Sequence, residues 1–543
     1  MDLDLARRRI ALFFRKKGKS GTRQNSRHGQ LNPQGQAPKK TLHTSLEENI
    51  RSVREALGNS TDLVIRELGY GENGEVRQAL LYTDGLADEK MIAQFVMDSA
   101  WLVSRPSAEP DRERTGEQRD LHARIRSFGS AGDMRRIADM DGLFNALLSG
   151  DAVILTEGHS EGCAAGMRAP NDRSVTEPTS ESVVRGPREA FTETLRTNTA
   201  LIRRKIKSPN LWMETKQIGE VTKTDVAIMF IRGIASDKVV EEVRLRLDRI
   251  RIDGILESGY IEELIQDETI TPFPTMYNTE RPDVIAAELL EGKVAIIVDG
   301  TPFVLVVPAL FVSFIHAAED YYHRADISSL IRLLRYIGMF ISLLGPSLYI
   351  AITTFHQEML PTDLLISLAA AREGVPFPAF IEALIMEVTF EILREAGIRM
   401  PRTIGPAVSV VGTLVIGQAA VEAGIVSSAM VIIVAITAIS NFVFPSYSMA
   451  NSFRMLRFFF MGLAAIFGLF GIIVGIVAMV LHLSSLRSFG IPYMSPFAPW
   501  SGSDQKDALI RAPWWAMLTR PRLIQRRNAV RQTYSPPKAK PRQ

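Results

Sequence analysis

Four stretches of this chain contain no Asp, Glu, Lys or Arg, and all four fall between residues 336 and 486. They are 336–355 (twenty residues), 403–421 (nineteen), 423–453 (thirty-one) and 458–486 (twenty-nine, interrupted only by His482). A helix crosses the hydrocarbon core of a bilayer with about 20 apolar residues. Core helices of soluble proteins rarely run so long without one charge, so these runs are expected to lie in lipid. Two further stretches fit a re-entrant, an interfacial or a spanning segment: 300–315, which holds Pro302 and Pro308, and 375–393, which holds Glu382, Glu387 and Glu391. The sequence thus predicts four spans, and up to six, within 300–486.

The formal net charge of +3 over 543 residues conceals two basic ends. Residues 1–40 carry eleven Lys/Arg against Asp2 and Asp4, with little to bury, and are expected to be disordered. Residues 511–543 carry nine Lys/Arg and no acid. Basic tails attract nucleic acid or anionic lipid; the neighbouring apolar runs point to lipid, and no nucleic-acid partner is expected. The Lys/Arg bias places both ends in the cytoplasm, which requires an even number of crossings. Arg454 and Arg457, just before the last run, fall on the far side in that arrangement and resist it. Trp500, Trp514 and Trp515 suit an interfacial belt, and the segment around them is expected to lie along the cytoplasmic leaflet.

Residues 44–299 alternate helical and strand-like patterns. SLEENIRSVREALG places Ile50, Val53 and Leu57 on one face, while TDLVIREL and EVRQALLYT read as strands around GYGENG. The polar, proline-bearing 104–120 reads as a loop, and a linker is expected around 164–175. Fold class is therefore α+β: two small mixed α/β subdomains, 44–163 and 174–299, followed by a polytopic α-helical transmembrane domain. A basic disordered tail, 1–43, precedes them, and a basic cytoplasmic tail, 487–543, follows the membrane part.

Catalytic motifs are weak. Gly69–Gly74 matches G-x-G-x-x-G, but strand-like residues follow where a phosphate-binding helix is required. Gly158-His159-Ser160-Glu161-Gly162 matches G-x-S-x-G, yet no histidine lies between His159 and His316 to act as base. One cysteine, Cys163, and eight scattered histidines give no ground for a disulfide framework or a metal site. No enzymatic activity and no cofactor are expected.

Carboxylates at membrane depth carry more information, because burying them is costly and they commonly mark ion pathways or paired charges. Glu387, Glu391 and Glu395 recur at i, i+4, i+8 on one helix face, and Glu422 separates two apolar runs. Glu387, Glu391 and Glu422 are candidates for a cation path; pairing of Glu391 and Glu395 with Arg394, Arg399 or Arg402 on a solvated face is the other reading.

Three long strings carry a resemblance. EPTSESVVRGPREAFTETLRTNTALIRRKIKSPNL, RIDGILESGYIEELIQD and TPFPTMYNTERPDVIAAELLEGKVAIIVDGTPFVLVVPALF resemble the GerA family, the A subunits of bacterial spore germinant receptors, and the likeness continues from PSLYIAITTF through VIGQAAVEAG. It spans roughly 44–500; the long N-terminal tail and the 104–120 insertion depart from it. The resemblance implies a multi-pass protein of the spore inner membrane that triggers germination in response to nutrients. It implies a B subunit resembling amino-acid transporters and a C subunit that is a lipoprotein, with the A subunit forming a homo-oligomer and a nutrient-gated, cation-conducting pore. It also directs attention to Arg185, Arg188 and Glu189 and to Glu280, Arg281 and Asp283 as domain or subunit contacts through Arg–carboxylate forks. A non-conducting accessory or scaffold protein of germination remains an alternative. So does a secondary transporter, although the matching halves that a transporter shows are not visible.

Overall fold

The computed structural model describes residues 40–70, 76–103, 133–169, 177–400, 417–502, 504–524 and 528–532. Residues 41–543 form one compact unit, and Lys40 is the only described residue of the other, 1–40. The basic tail to residue 39 and the 104–120 loop lie outside the described residues. Residues 41–43, expected as tail, belong to the fold: Leu42 is buried and Thr41 bridges to Asp139.

The first subdomain comprises α1 (Leu46–Ala56), β1 (Leu63–Tyr70), β2 (Val76–Thr83), α2 (Glu89–Val103), β3 (Met134–Ile137), α3 (Met140–Leu147), β4 (Ala152–Thr156) and β5 (Gly162–Ala165). Helix α1 starts where Ser45 caps it, has Glu47 and Glu48 in its first turn, and buries Leu46, Ile50 and Val53. Gly69 and Tyr70 end β1, and the next described element is the adjacent antiparallel strand β2, not the helix that a phosphate-binding G-x-G-x-x-G requires. Likewise, Ser160 sits between the antiparallel strands β4 and β5, not on the strand-to-helix turn that a nucleophile elbow requires.

The second subdomain comprises α4 (Leu195–Lys205), β6 (Leu211–Ile218), β7 (Thr224–Ile231), α5 (Asp237–Arg249), α6 (Ser258–Ile265), β8 (Tyr277–Thr279), α7 (Pro282–Glu291), β9 (Val294–Val298) and β10 (Val304–Val307). Its sheet runs β6-β7-β9-β10-β8 and the first runs β1-β2-β4-β5-β3; every adjacent pair in both is antiparallel. The two orders are the same, and the detailed contacts repeat. Asn49 clamps the backbone of His43 by two hydrogen bonds (2.9 and 2.7 Å), and Asn198 clamps Thr192 in the same way (2.7 and 2.6 Å). Glu157 accepts from the N–H of Leu46 (3.1 Å), and Asp299 accepts from that of Leu195 (2.8 Å), each carboxylate sitting at the start of the subdomain's first helix. Gly150 and Gly292 end α3 and α7 with φ of +89° and +98°, where a Cβ would strike a carbonyl oxygen at 2.6 or 2.8 Å. The soluble half is thus a structural duplication. The two halves meet at Arg203, buried, which forks onto Asp62 (2.5 and 2.9 Å) and also donates to the Leu211 carbonyl.

Residues 300–315 do not enter the helical half. They form β10 and a short 3-10 turn, Phe311–Phe314, and Val304 to Val307 are all buried. A four-residue strand packed on both faces reads in sequence as a continuous apolar run, which accounts for the misassignment. The helical half therefore begins later, with α8 (Ala325–Phe355), followed by α9 (Thr362–Arg372), α10 (Ala379–Arg399), α11 (Ser428–Asn441) and α12 (Tyr447–Ser485). Among the described residues, α8 and α12 are long and apolar enough to cross a membrane, α11 is shorter, and 401–416 lie outside the description.

Helix α12 is not one rod. Gly468 leaves helical geometry (φ 61°, ψ −142°), and the chain folds back there. A Cβ on Gly475 would meet Leu463 and Phe460 at 2.8 Å, and Phe453 and His482 both lie about 6 Å from the ring of Phe273. Twenty-nine residues of straight helix would separate those two by about 44 Å. The expected span 458–486 is thus a turn and parts of two antiparallel arms, 447–467 and 469–485.

The tip at Gly468 touches Phe355 and His356, the end of α8, while the arm bases rest on Phe273 of the soluble half. The expected tail after 486 also departs from prediction. Residues 487–524 pack on the second subdomain: Tyr493 is fully buried and donates to the Pro274 carbonyl (2.8 Å), and Ile524 joins the core around β9. Apolar anchors at Phe489, Ile491, Tyr493 and Ala508 hold it there despite its basic composition.

Candidate functional site

Helix α10 is largely apolar apart from its Glu and Arg residues, and Glu382, Glu387 and Glu391 meet partners on neighbouring elements. Glu382, fully buried near the end distal to the soluble half, accepts from Ser427 through its N–H (3.1 Å) and its hydroxyl (2.9 Å), and from Arg372 (3.2 Å). One turn along, Glu387 accepts from Arg457 at 2.6 Å, both side chains buried. Arg457 also donates to the Ser342 carbonyl of α8 (2.7 Å), so one guanidinium ties α8, α10 and α12 together. Next comes Glu391 with Arg454 (3.0 Å), and last the exposed Glu395 with Arg399 (2.7 Å).

The i, i+4 spacing on α10 matches the spacing of 454 and 457 on an antiparallel arm, and this produces the ladder. Arg454 and Arg457, which resisted the sequence-based topology, lie within the rising arm and neutralise two rungs. The buried Glu387–Arg457 pair is tolerated because the opposite charge and hydrogen bonds to Ser342 are both supplied. Even so, one oxygen of Glu387 and one of Glu391, both buried, have no hydrogen-bond partner among the described residues. Glu422 lies apart from the ladder, exposed, accepting from Gln418 (2.8 Å).

The second set of sequence candidates comes together at the edge of the second subdomain. Buried Glu280 accepts from the hydroxyl (2.7 Å) and N–H (2.5 Å) of Ser180. Buried Arg281 donates to Asp283 (2.8 Å) and to the carbonyls of Pro187 and Glu181 (3.1 and 3.2 Å). Tyr322 in turn donates to Asp283 (2.5 Å). The segment 177–189 is thereby strapped over α7. Burial raises Glu181 to about 7 against the hydrogen bond from Thr279. Arg185, Arg188 and Glu189 are exposed: Arg188 pairs with Glu177 (3.3 Å) and Glu189 with Lys205 (2.9 Å), while the N–H of Arg185 donates to Glu319 (3.1 Å).

A further buried cluster, centred on Asp320, joins the soluble half to α8 and the C-terminal segment. Asp320 accepts from Arg335 (2.7 Å) and Arg332 (3.3 Å), and Arg332 also reaches Asp507 (2.9 Å) in the C-terminal segment. The signal in sequence is Arg332 and Arg335, one turn apart at the start of an apolar helix, with Asp320 and Asp326 shortly before them. Among the described residues no group of three or more His, Cys, Asp or Glu is arranged to hold a metal ion.

A family model described as Bacillus/Clostridium GerA spore germination protein matches residues 51–523. Spore germination protein KA of Bacillus subtilis (strain 168) is 52% identical over 491 residues, covering 90% of this chain and 89% of that protein. The uncharacterized membrane protein YfkQ of the same organism is 45% identical over 487 residues, covering 90% and 93%. The crystal structure of the N-terminal domain of the A subunit of the Bacillus megaterium spore germinant receptor GerK3 is 40% identical, covers 51% of this chain and 99% of that one, and superposes with a TM-score of 0.40.

Proposed function

This chain belongs to the GerA family of spore germination proteins, and from that premise we propose that it is a membrane subunit of a spore germinant receptor that oligomerises into a ligand-gated, cation-conducting pore. The observation that carries the reading is the ladder on α10: Glu387 and Glu391, each with one uncommitted buried oxygen, run through helices whose outer surfaces are apolar. Ile331, Leu334 and Phe340 on α8 and Phe459, Phe467, Phe470, Ile473 and Val477 on α12 are exposed, more apolar surface than a monomer in water normally presents. Lipid and neighbouring subunits are the surfaces that would cover it.

In this reading α8 and both arms of α12 cross the inner membrane of the spore, with α10 and α11 completing a multi-pass domain. The soluble half and the 487–532 segment pack together at one end of the helices, in keeping with both termini lying in the cytoplasm. Glu387, Glu391 and Glu422 are assigned to the cation path, and exposed Arg185, Arg188 and Glu189 to contacts with neighbouring subunits. A B-type transporter-like subunit binds the nutrient, and a C-type lipoprotein completes the receptor. Nutrient binding would act by favouring the open over the closed arrangement, which requires different affinity for the two.

The test is cation flux through liposomes holding the assembled receptor, with and without nutrient. Nutrient-dependent flux whose rate and selectivity change in Glu387→Gln and Glu391→Gln supports the assignment. Flux with unchanged selectivity in the double variant removes these residues from the path, and an intact receptor without flux leaves the scaffold reading.

A further inference from the structure

Arg394 is the one charge on the C-terminal half of α10 that the ladder does not neutralise. Glu391 is taken by Arg454 and Glu395 by Arg399. The Arg394 guanidinium lies over two aromatic rings, Phe442 at 5.8 Å and Tyr447 at 5.6 Å, which hold it without cancelling its charge. Its Nη1 is buried with no hydrogen-bond partner among the described residues, and so is the Nε of Arg454. Both arginines line one cavity of about 650 Å³ between α10 and the rising arm of α12. Glu391 and the Glu395–Arg399 pair also line it, so its charges sum to one positive, and the exposed Val388, Ile392 and Ile398 open it toward the outer surface of the helices.

Two uncommitted guanidinium donors and one surplus positive charge require an anion, and guanidinium matches phosphate oxygens in geometry. An apolar wall open to the helix exterior requires an acyl chain. Glu391 lines the same cavity, and one of its oxygens has no hydrogen-bond partner among the described residues. We propose that this cavity is a binding site for an anionic phospholipid whose headgroup carries hydroxyl groups, as phosphatidylglycerol does. Its phosphate lies on Arg394 and Arg454, a headgroup hydroxyl donates to Glu391, and its chains run along Val388, Ile392 and Ile398.

The depth is consistent with this. Tyr447 begins the rising arm, and Phe453, six residues on, already meets Phe273 of the soluble half edge to face. The cavity therefore sits at the end of the helices nearest the soluble half, where headgroups of that leaflet lie. Basic pockets between helices at that level recognise anionic lipid headgroups.

The inference rests on the membrane reading above, and its test separates the two. The full chain is reconstituted in vesicles of phosphatidylcholine with or without phosphatidylglycerol, extracted in mild detergent, and its retained lipid is measured by native mass spectrometry. Retention of phosphatidylglycerol over phosphatidylcholine is expected, falling about tenfold or more in Arg394→Gln, since a charged hydrogen bond is lost. Arg77→Gln, which changes an exposed arginine of the soluble half that is paired with Glu67 and lies outside the cavity, should retain lipid as the parent does. Equal retention of both lipids by the parent protein overturns the proposal and needs no variant to fold. Displacement of phosphatidylglycerol by millimolar inorganic phosphate, with no dependence on acyl chains, also overturns it, because the site would then bind a free anion. Protein that stays in the aqueous fraction contradicts the membrane reading instead.

Discussion

Arg457, on the rising arm of α12, donates to Glu387 of α10 over 2.6 Å, with both side chains out of contact with solvent. The two residues are seventy apart in sequence. Removing either leaves a charge buried without its counter-ion, whereas removing both leaves a gap that apolar side chains can fill.

Glu387→Leu or Arg457→Leu alone is expected to destabilise the detergent-solubilised protein by about 3–5 kcal/mol, and the double Leu variant to recover much of that loss. Thermal unfolding of the three variants checks this. Single changes that each cost under about 1 kcal/mol would mean that the pair is hydrated, as exposed pairs are.

Gly468 has φ of 61° and ψ of −142°, and a Cβ there would lie 2.9 Å from the His356 ring and 3.1 Å from Phe355. Gly468→Val is expected to cost about 1–3 kcal/mol from backbone strain alone. Spin labels at positions 453 and 482 provide the direct measurement. A folded-back α12 gives a short separation, whereas a continuous helix would give about 44 Å.

The duplicated soluble half predicts matched responses. Asn49 and Asn198 each make two hydrogen bonds to the backbone six residues earlier. Asn49→Ala and Asn198→Ala should each cost about 1–3 kcal/mol, since each leaves a buried donor and acceptor unmade. Denaturant unfolding compares them, and a large cost at one site with none at the other contradicts the equivalence.

The Nε2–H of His316 donates to the Ala508 carbonyl of the C-terminal segment at 3.1 Å, and burial, reinforced by Arg332, lowers its pKa from 6.5 to about 3. Asp320 opposes that shift and Arg335 adds to it. The unfolded chain therefore takes up a proton below about pH 6.5 that the folded chain refuses until about pH 3, so this contribution is lost as pH falls through that window. The difference in melting temperature between the parent and His316→Gln should shrink from pH 7 to pH 4. A difference that stays constant across that range would show His316 titrating normally.

Much of the plan was legible in the chain, because it depends on composition over long windows. Charge-free runs at 336–355 and 423–453 delivered α8, α11 and the start of α12, and the i, i+4 glutamates delivered the face of α10. The duplication left a trace that went unread: Leu147-Leu148-Ser149-Gly150 with Glu157-Gly158 recurs as Leu289-Leu290-Glu291-Gly292 with Asp299-Gly300, 142 residues later. A unit that long leaves no short period in the chain.

What local pattern determined is which segments are apolar, which are helical and where the charges lie, since hydrophobicity and helical periodicity are properties of neighbours in the chain. Tertiary structure alone decided that 304–307 is a buried strand, that α12 folds back at Gly468, and that Arg454 and Arg457 answer Glu391 and Glu387. A glycine's backbone angle and an arginine's counter-ion are selected by what packs against them, and those partners here come from tens to hundreds of residues away.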